Sequence, residues 1–304
     1  REKMYHGILI IHKEKGFTSH DVVAKLRGIC GQRKIGHTGT LDPEATGVLP
    51  VCLGSGTRLC DMLTDQDKEY VARLRLGVET DTQDMTGNIL ARREVEAGPE
   101  QAREAALSFV GAYQQIPPMY SALKVNGKKL YELAREGKEV ERRAREVRIE
   151  ELEILDLCLP VMEMRVVCSK GTYIRTLCAD IGRKLGCGGA MESLTRTRVG
   201  RFCLKEALTL EQLQGMKDQG RLGEAVLSVE SMFESCPVLH VRPDLARLLD
   251  NGNALTVEQT QERERYAPGR WVRVRRPDNH FAGIYAYDEG RERYQPVKMF
   301  PEQD

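Results

Sequence analysis

One short segment, KEYVARLRLG at positions 68–77, restricts the fold most strongly. Apolar and charged side chains alternate along it, with the apolar set at Tyr70, Ala72, Leu74 and Leu76 and the charged set at Arg73 and Arg75. Side chains of a strand point alternately to its two faces, so this pattern predicts a strand with one buried face. Such a strand is stable only within a sheet that a second layer covers.

The remaining patterns mix strands and helices without strict alternation. GILII (7–11) and the alternating 162–168 segment predict strands, whereas Ser19 can cap a helix that ends near Gly31. Further helices are predicted at 99–113, opened by Pro99, and from Ile174 to about Leu185. Such mixing indicates an α+β domain over residues 1–235. The short strands after it, separated by Gly, Pro and Asn, predict a small β-barrel at 236–304.

Composition excludes several classes of protein. The chain has 304 residues, of which 41% are hydrophobic and 30% charged, as in globular proteins. Its longest apolar runs are far shorter than the roughly 18–20 residues that span a bilayer, and its start has no export-signal pattern. The nine cysteines form no C-x-x-C pair and have no zinc-ligand spacing. We therefore expect reduced thiols, no metal, no membrane association and a cytoplasmic location.

Positive charge is concentrated in three segments although the net charge is only +1. Residues 124–148 hold nine Lys/Arg against five Asp/Glu, residues 262–276 hold six against two, and residues 195–202 add three arginines without an acid. A single basic run is usually a solvated face. Three of them in a near-neutral protein favour a polyanionic partner.

Residues 36–50, GHTGTLDPEATGVLP, place one carboxylate, Asp42, between Gly-Thr turns. Asp42 could be the N-cap of a one-turn helix that begins at Pro43 and ends at Gly47. Alternatively, the glycines let the backbone approach a ligand closely beside a reactive carboxylate. The local sequence does not decide between the two.

Three other residues are ambiguous when each is taken alone. Taken alone, His37 is an ordinary histidine whose ring is hydrogen-bonded at the surface or in the core. Tyr70, on the apolar face of its strand, is by default a tyrosine of the hydrophobic core. Arg175 stands at a predicted helix start, where a cation opposes the macrodipole and a carboxylate or phosphate partner would explain it. GQRKIGHT (31–38) has His37 where the phosphate-binding loop needs lysine, so no nucleotide cofactor is indicated.

Four separated motifs together resemble the TruB family of tRNA pseudouridine synthases. They are GHTGTLDPEATGVLPVCLGSGTR, KEYVARLRLG, SKGTYIRTLCADIG and ESLTRTRVGRF, in that order over about 200 residues. QQIPPMYSALKVNGKKLYELAREG, within an insertion at about 114–145, is similar to the tRNA-gripping insertion of the bacterial branch. The C-terminal segment resembles the PUA-type RNA-binding domain of that family.

The resemblance implies a pseudouridine synthase fold that isomerises uridine 55 in the tRNA T-loop without any cofactor. It implies that Asp42 is the nucleophile, that Arg175 pairs with it, and that Tyr70 stacks under the flipped uracil. Leu194 would close the apolar side of the pocket, and His37 would fill the gap that the base leaves. The remaining RNA contacts that it implies are Gly39 and Thr40 in the loop, and Lys124, Lys128, Lys129 and Arg135 in the insertion.

Two rival functions remain open at the sequence level. A non-catalytic RNA-binding protein would explain the basic segments and the barrel, but not Asp42, Tyr70 and Arg175 together. A synthase inside a guide-RNA particle is the other rival, and the insertion argues against it. We therefore expect a monomer that acts on the T-arm of tRNA without an obligatory protein partner.

Overall fold

The computed structural model describes residues 4–302. Its strands are β1 Gly7–Lys13, β2 Ile35–His37, β3 Thr46–Leu53, β4 Lys68–Leu76, β5 Val78–Thr80, β6 Ile89–Arg92, β7 Gly111–Gln115, β8 Lys124–Val125, β9 Lys128–Lys129, β10 Arg145–Cys158, β11 Val161–Cys168, β12 Gly189–Val199, β13 Phe202–Cys203, β14 Val238–His240, β15 Trp271–Arg275, β16 Phe281–Asp288 and β17 Arg293–Met299. Its helices are α1 Ser19–Cys30, α2 Cys60–Thr64, α3 Pro99–Leu107, α4 Leu130–Arg135, α5 Ile174–Lys184 and α6 Leu210–Asp218.

A nine-stranded mixed sheet forms the body of the molecule. Its main path runs β1-β3-β12-β4-β11-β10-β7, with β2 paired to β3 and β13 to β12. Only β12 and β3 pair in parallel; the other pairs are antiparallel. The predicted α+β class is confirmed.

Hydrophobic burial explains how the layers are arranged. The predicted apolar face of β4 packs, with β10 and β11, against α3 and α5. Strand β1 is buried on both faces, because Leu9 and Ile11 contact α1 and α6 whereas Ile8 and Ile10 join a cluster that includes Phe233. Its continuous apolar run, ILII, is the pattern expected of a strand covered on both sides.

Two helix boundaries differ from the sequence prediction. Helix α1 is capped by Thr18, not Ser19, because the Thr18 hydroxyl accepts from Asp21 N while the Asp21 carboxylate accepts from Thr18 N. Helix α3 ends at Leu107 and the chain enters β7 at Gly111, which has φ 102°. Gly111 supplies the left-handed turn that separates the two elements.

The C-terminal strands form a sheet of their own, in the order β14-β15-β16-β17. In residues 4–302 no ladder closes this sheet into the predicted barrel. Instead, the 255–260 segment forms one isolated bridge at each edge of the sheet. Thr260 pairs with Val241, directly after β14, and Leu255 pairs with Tyr294 of β17. The all-β character of this region is as predicted, and its closure is not.

The helices in the described part of the chain are too short or too polar to cross a bilayer. The nine cysteines are all free thiols, and five of them are buried.

Candidate active site

Asp42 lies in the loop between β2 and β3, at the mouth of a cleft. The backbone forms a single turn, in which Ala45 N donates to Asp42 O at 3.0 Å. No helix begins here, so the helix-cap interpretation of Asp42 is wrong. The Asp42 side chain is 40% exposed, and its carboxylate is therefore accessible to a ligand in the cleft.

The buried side chain of Arg196 donates hydrogen bonds to both ends of this loop. Its Nη2 donates to Gly39 O and its Nε to Val48 O, each at 2.9 Å, and the residue is only 1% exposed. The two glycines that flank Asp42 permit this close approach. Gly47 has φ 115°, and a Cβ there would lie 2.1 Å from Arg196 O; Gly39 has φ 61° and would place a Cβ 3.3 Å from Arg196 Nη1.

Lys13 and Ser19 hold the middle of the loop. Lys13 Nζ donates to Pro43 O at 3.1 Å, and the Ser19 hydroxyl accepts from Leu41 N at 3.0 Å. Burial lowers the Lys13 pKa to about 8, and the nearby Asp42 carboxylate partly opposes that shift. Hydrogen bonds with three side chains, those of Arg196, Lys13 and Ser19, therefore hold the backbone that carries Asp42.

Arg175 orients the Asp42 carboxylate. Its Nε lies 3.0 Å from Asp42 Oδ2, and its side chain is 7% exposed. The other two nitrogens donate to backbone carbonyls, Nη1 to Thr82 O at 3.2 Å and Nη2 to Tyr120 O at 2.8 Å. The guanidinium thus meets the carboxylate through one nitrogen and uses its other two nitrogens on the backbone. The carboxylate partner accounts for a cation in the first turn of α5.

The cleft beside this ion pair has a volume of about 340 Å³. Tyr70 and Leu194 line its floor from β4 and β12, where Leu194 pairs with Ala72 and Tyr70 with Arg196. Tyr70 is 9% exposed, and burial raises its pKa above the ordinary tyrosine value. A cleft with an aromatic floor next to an oriented carboxylate suits a planar heterocycle.

Six of the residues singled out in the sequence line this cleft: Gly39, Thr40, Asp42, Tyr70, Arg175 and Leu194. His37 does not line it. That histidine is on β2, paired with Val51, and its Nδ1 is buried without a hydrogen-bond partner. Burial lowers the His37 pKa, so the ring is neutral at pH 7.

The 116–144 segment joins β7 to β10, two strands that pair directly. It contributes Ser121, Ala122 and Leu123 to the wall of the cleft. Its outer part carries the four cations singled out in the sequence, Lys124, Lys128, Lys129 and Arg135. Lys129 and Arg135 lie on the Tyr131 ring, at 5.4 Å and 5.2 Å from its centre, and Lys128 Nζ is 3.8 Å from Glu136.

The other two basic segments are largely neutralised or bonded within the protein. Arg273 and Arg275 share Glu230, and Arg276 pairs with Asp250 at 2.6 Å. In the 195–202 segment, Arg198 donates to Gly200 O. Arg273, Arg275 and Arg276 therefore attach the C-terminal strands to neighbouring segments, and their carboxylate partners reduce the charge that the 262–276 segment offers to a polyanion.

Two buried cations that line the cleft were missed at the sequence level, Arg196 and Lys68. Lys68 is 6% exposed, lines the cleft, and lies on the same face of β4 as Tyr70. Its even spacing from Tyr70 was a readable signal, but charged residues are normally assigned to the solvent. Within residues 4–302, no group of three or more His, Cys, Asp or Glu side chains is placed to hold a metal ion.

Comparison with known proteins gives consistent matches. The family model described as "TruB family pseudouridylate synthase (N terminal domain)" matches residues 27–174, and the "tRNA pseudouridylate synthase B C-terminal domain" matches residues 175–234. The chain is 50% identical to tRNA pseudouridine synthase B of Lachnoclostridium phytofermentans, over 97% of this chain and 99% of that protein. It is 41% identical to the protein of that name from Bacillus pumilus, over 93% of each.

A solved structure has the same fold. A chain in the crystal structure of the archaeal box H/ACA sRNP Nop10–Cbf5 complex matches with a TM-score of 0.70 and 25% identity, covering 98% of this chain and 87% of that one. The match therefore extends through the C-terminal sheet as well as the large one.

Proposed function

Since this chain belongs to the TruB family of pseudouridylate synthases, we propose that it converts uridine 55 in the T-loop of tRNA to pseudouridine, with Asp42 as the nucleophile. Its enzyme class is that of its curated relatives, a tRNA pseudouridine synthase. The observation that carries the proposal is the Asp42–Arg175 ion pair, held at the mouth of a cleft with Tyr70 on its floor.

Isomerisation changes which ring atom is joined to the sugar. The C1′–N1 bond breaks with its electron pair left on the uracil, the ring turns, and C5 forms the new bond to C1′. C5 loses a proton and N1 gains one, so atoms and electrons balance without an oxidant or a water. A carboxylate can hold the reacting nucleotide covalently between these steps and then leave. Asp42 has the required exposure and fixed orientation.

The cleft accepts one base only after that base has left its stack, so the proposal includes base flipping. Tyr70 would stack on one face of the uracil, and Leu194 would contact the other side. The Tyr70 hydroxyl stays protonated at neutral pH because burial raises its pKa. It is therefore suited to donating or relaying a proton. His37, which is neutral and lies outside the cleft, would occupy the space in the T-loop that the flipped base vacates.

We further propose that residues 1–235 hold the chemistry and residues 236–304 assist RNA binding as a PUA-like domain. The insertion would grip the T-arm, with Lys124, Lys128, Lys129 and Arg135 contacting phosphates. The enzyme would act as a cytoplasmic monomer, without guide RNA or an obligatory protein partner. The identity of 41–50% with bacterial enzymes named for tRNA supports this over a guide-RNA role.

The test uses the chain alone with an unmodified tRNA transcript that carries tritium at C5 of its uridines. Pseudouridine formation releases that tritium, and we expect one equivalent per tRNA. A transcript with cytidine at position 55 should release none. Release only after an RNA guide or partner protein is added would overturn the stand-alone function. Tight tRNA binding without any release would favour the non-catalytic alternative.

A further inference from the structure

Lys68 is a buried cation of the cleft with unused hydrogen-bond donors. An ammonium has three N–H donors. In the described part of the chain, Lys68 Nζ donates one hydrogen bond, to Thr64 O, and no carboxylate lies within 4.0 Å of it. Asp65, a nearby acid, is instead paired with Lys170 at 2.6 Å. A buried ammonium that has unused N–H donors and no carboxylate partner is stabilised by any hydrogen-bond acceptor that enters the cleft.

The other two cations of the cleft are fixed in place by the protein through most of their nitrogens. Arg175 uses all three nitrogens on Asp42, Thr82 O and Tyr120 O. Arg196 donates hydrogen bonds from Nε and Nη2 to the loop that carries Asp42. Lys68 is therefore the cleft cation best able to donate to a bound nucleotide.

The position of Lys68 indicates which part of the nucleotide it meets. Lys68 and Tyr70 are two residues apart on one face of β4, so their Cα atoms are about 7 Å apart. Lys68 is 6% exposed, whereas the Asp42 side chain at the cleft mouth is 40% exposed. A phosphate is strongly hydrated and stays near the mouth, because burying its charge is costly. The base, stacked on Tyr70, reaches deeper.

Building on the proposed function, we propose that the Lys68 ammonium donates a hydrogen bond to a ring carbonyl oxygen of the flipped uracil. This contact becomes stronger when the C1′–N1 bond breaks, because the bond electrons remain on the uracil and spread onto its carbonyl oxygens. A donor fixed in place before that charge develops stabilises the detached base more than the intact nucleotide. Lys68 is then a catalytic residue in addition to Asp42 and Tyr70, and Arg175 remains the positioning residue for Asp42.

The surroundings of Lys68 define its protonation range. Asp65 and Asp67 face it from the turn before β4, Cys168 from β11 and Arg196 from β12. Burial lowers its pKa to about 8, and the positive charge of Arg196 adds to that decrease. Burial raises the pKa of Cys168 to about 12, so that thiol stays neutral. The ammonium is present below about pH 8 and is lost above it.

Three variants of the full-length enzyme test the proposal on unmodified tRNA. Lys68→Met removes the charge at similar volume, Lys68→Arg keeps a charge that does not titrate, and Lys205→Met is an exposed control. We expect Lys68→Met to slow single-turnover pseudouridine formation about 10²-fold, the usual cost of losing one such donor. Its tRNA affinity and the salt dependence of that affinity should match the control.

The pH profile separates a catalytic role from a structural one. The single-turnover rate of the unsubstituted enzyme should decline above about pH 8, and Lys68→Arg should keep its rate to higher pH. A Lys68→Met rate equal to the control would overturn the proposal. A salt dependence lowered by about one unit would instead make Lys68 a phosphate contact.

Two further outcomes are also decisive. If Lys68→Met fails to fold, the Lys68→Arg profile in a Lys13→Arg background decides, because the pKa of Lys13 is lowered to about 8 as well. An unchanged decline above pH 8 in that background contradicts the role. Failure of the proposed function itself would be visible separately, as an unsubstituted enzyme that makes no pseudouridine at any pH.

Discussion

At the scale of single residues, Arg175 combines two tasks that are usually divided between side chains. It contacts the Asp42 carboxylate at 3.0 Å and also holds two backbone carbonyls from distant parts of the chain. The planar guanidinium can do so because its nitrogens point in three fixed directions. A lysine has a single nitrogen and cannot reach all three acceptors.

Arg175→Lys should therefore reduce turnover about 10²-fold while tRNA affinity changes little. Single-turnover kinetics and filter binding measure the two effects separately. Arg183→Lys, on the exposed side of the same helix at 74% side-chain exposure, is the matched control. Equal rates for the two variants would remove Arg175 from the mechanism.

Asp42→Asn should abolish pseudouridine formation, because an amide cannot act as the nucleophile. The asparagine oxygen can still face Arg175, so the free energy of unfolding should fall by only about 1 kcal/mol. Pseudouridine content after long incubation and a melting curve are the measurements. Glu44→Gln, in the same turn and paired with Lys15 at 3.1 Å, controls for lost charge. Product from Asp42→Asn would contradict the nucleophile assignment.

Sequence reasoning identified the residues whose motif or helix position was unusual, and it missed those whose burial depends on distant pairing. Tyr70 could be placed on the buried face of a strand from alternation alone. Arg196 could not, because its neighbours Arg198 and Arg201 share the same local pattern and yet lie nearer to solvent. Only the pairing of β12 with β4 and β3 places Arg196 under the Asp42 loop.

At the scale of elements, the 116–144 insertion has two parts with different tasks. Residues 121–123 form the cleft wall, and the outer hairpin and α4 carry cations around Tyr131. A basic surface beside the cleft suits the phosphates that flank a flipped nucleotide.

Reversing Lys128, Lys129 and Arg135 to Glu should weaken tRNA binding and lower its salt dependence by about one unit per lost phosphate contact. The Lys128 contribution should be the smallest, since Glu136 lies 3.8 Å from it. Reversal of Lys25, Lys34 and Lys205 gives the same net charge change away from the insertion. Binding isotherms at several salt concentrations compare the two triple variants, and identical isotherms would make the insertion a solvated loop.

Local sequence patterns predicted that these helices and strands exist, but they did not predict where the helices end or whether the C-terminal sheet closes into a barrel. The Pro99 start of α3 was readable, but its end at Leu107 depends on Gly111 turning the chain into β7. The strands of the C-terminal sheet were readable as short segments, whereas barrel closure depends on how the edges meet. Edge contacts join residues far apart in sequence, and no local pattern encodes them.

At the scale of the whole molecule, the two sheets are attached by both packing and charge. Ile284 and Phe300 of the C-terminal region share a hydrophobic cluster with Ile8 and Ile10 of β1. Glu230 accepts from Arg273 at 3.2 Å and from Arg275 at 2.7 Å.

Glu230→Gln should lower the free energy of unfolding by about 1–3 kcal/mol, because it leaves two partly buried guanidinium groups without their carboxylate. Glu224→Gln removes an exposed pair with Arg221 and should cost less than about 1 kcal/mol. Urea unfolding curves give both values. Single-turnover rates of the two variants should equal that of the parent, because Glu230 and its two arginines do not line the cleft. A loss of rate in Glu230→Gln alone would contradict that separation of the ion pairs from the chemistry.

The hydrogen bond from Arg175 Nη2 to Tyr120 O joins the insertion to the arginine that pairs with Asp42. Tyr120 belongs to the segment that would grip RNA, so any excursion of that segment takes one of three acceptors from the arginine that orients Asp42. If the segment binds RNA as proposed, an RNA that holds it in place would also hold Arg175 in position against Asp42, and by linkage each effect would strengthen the other.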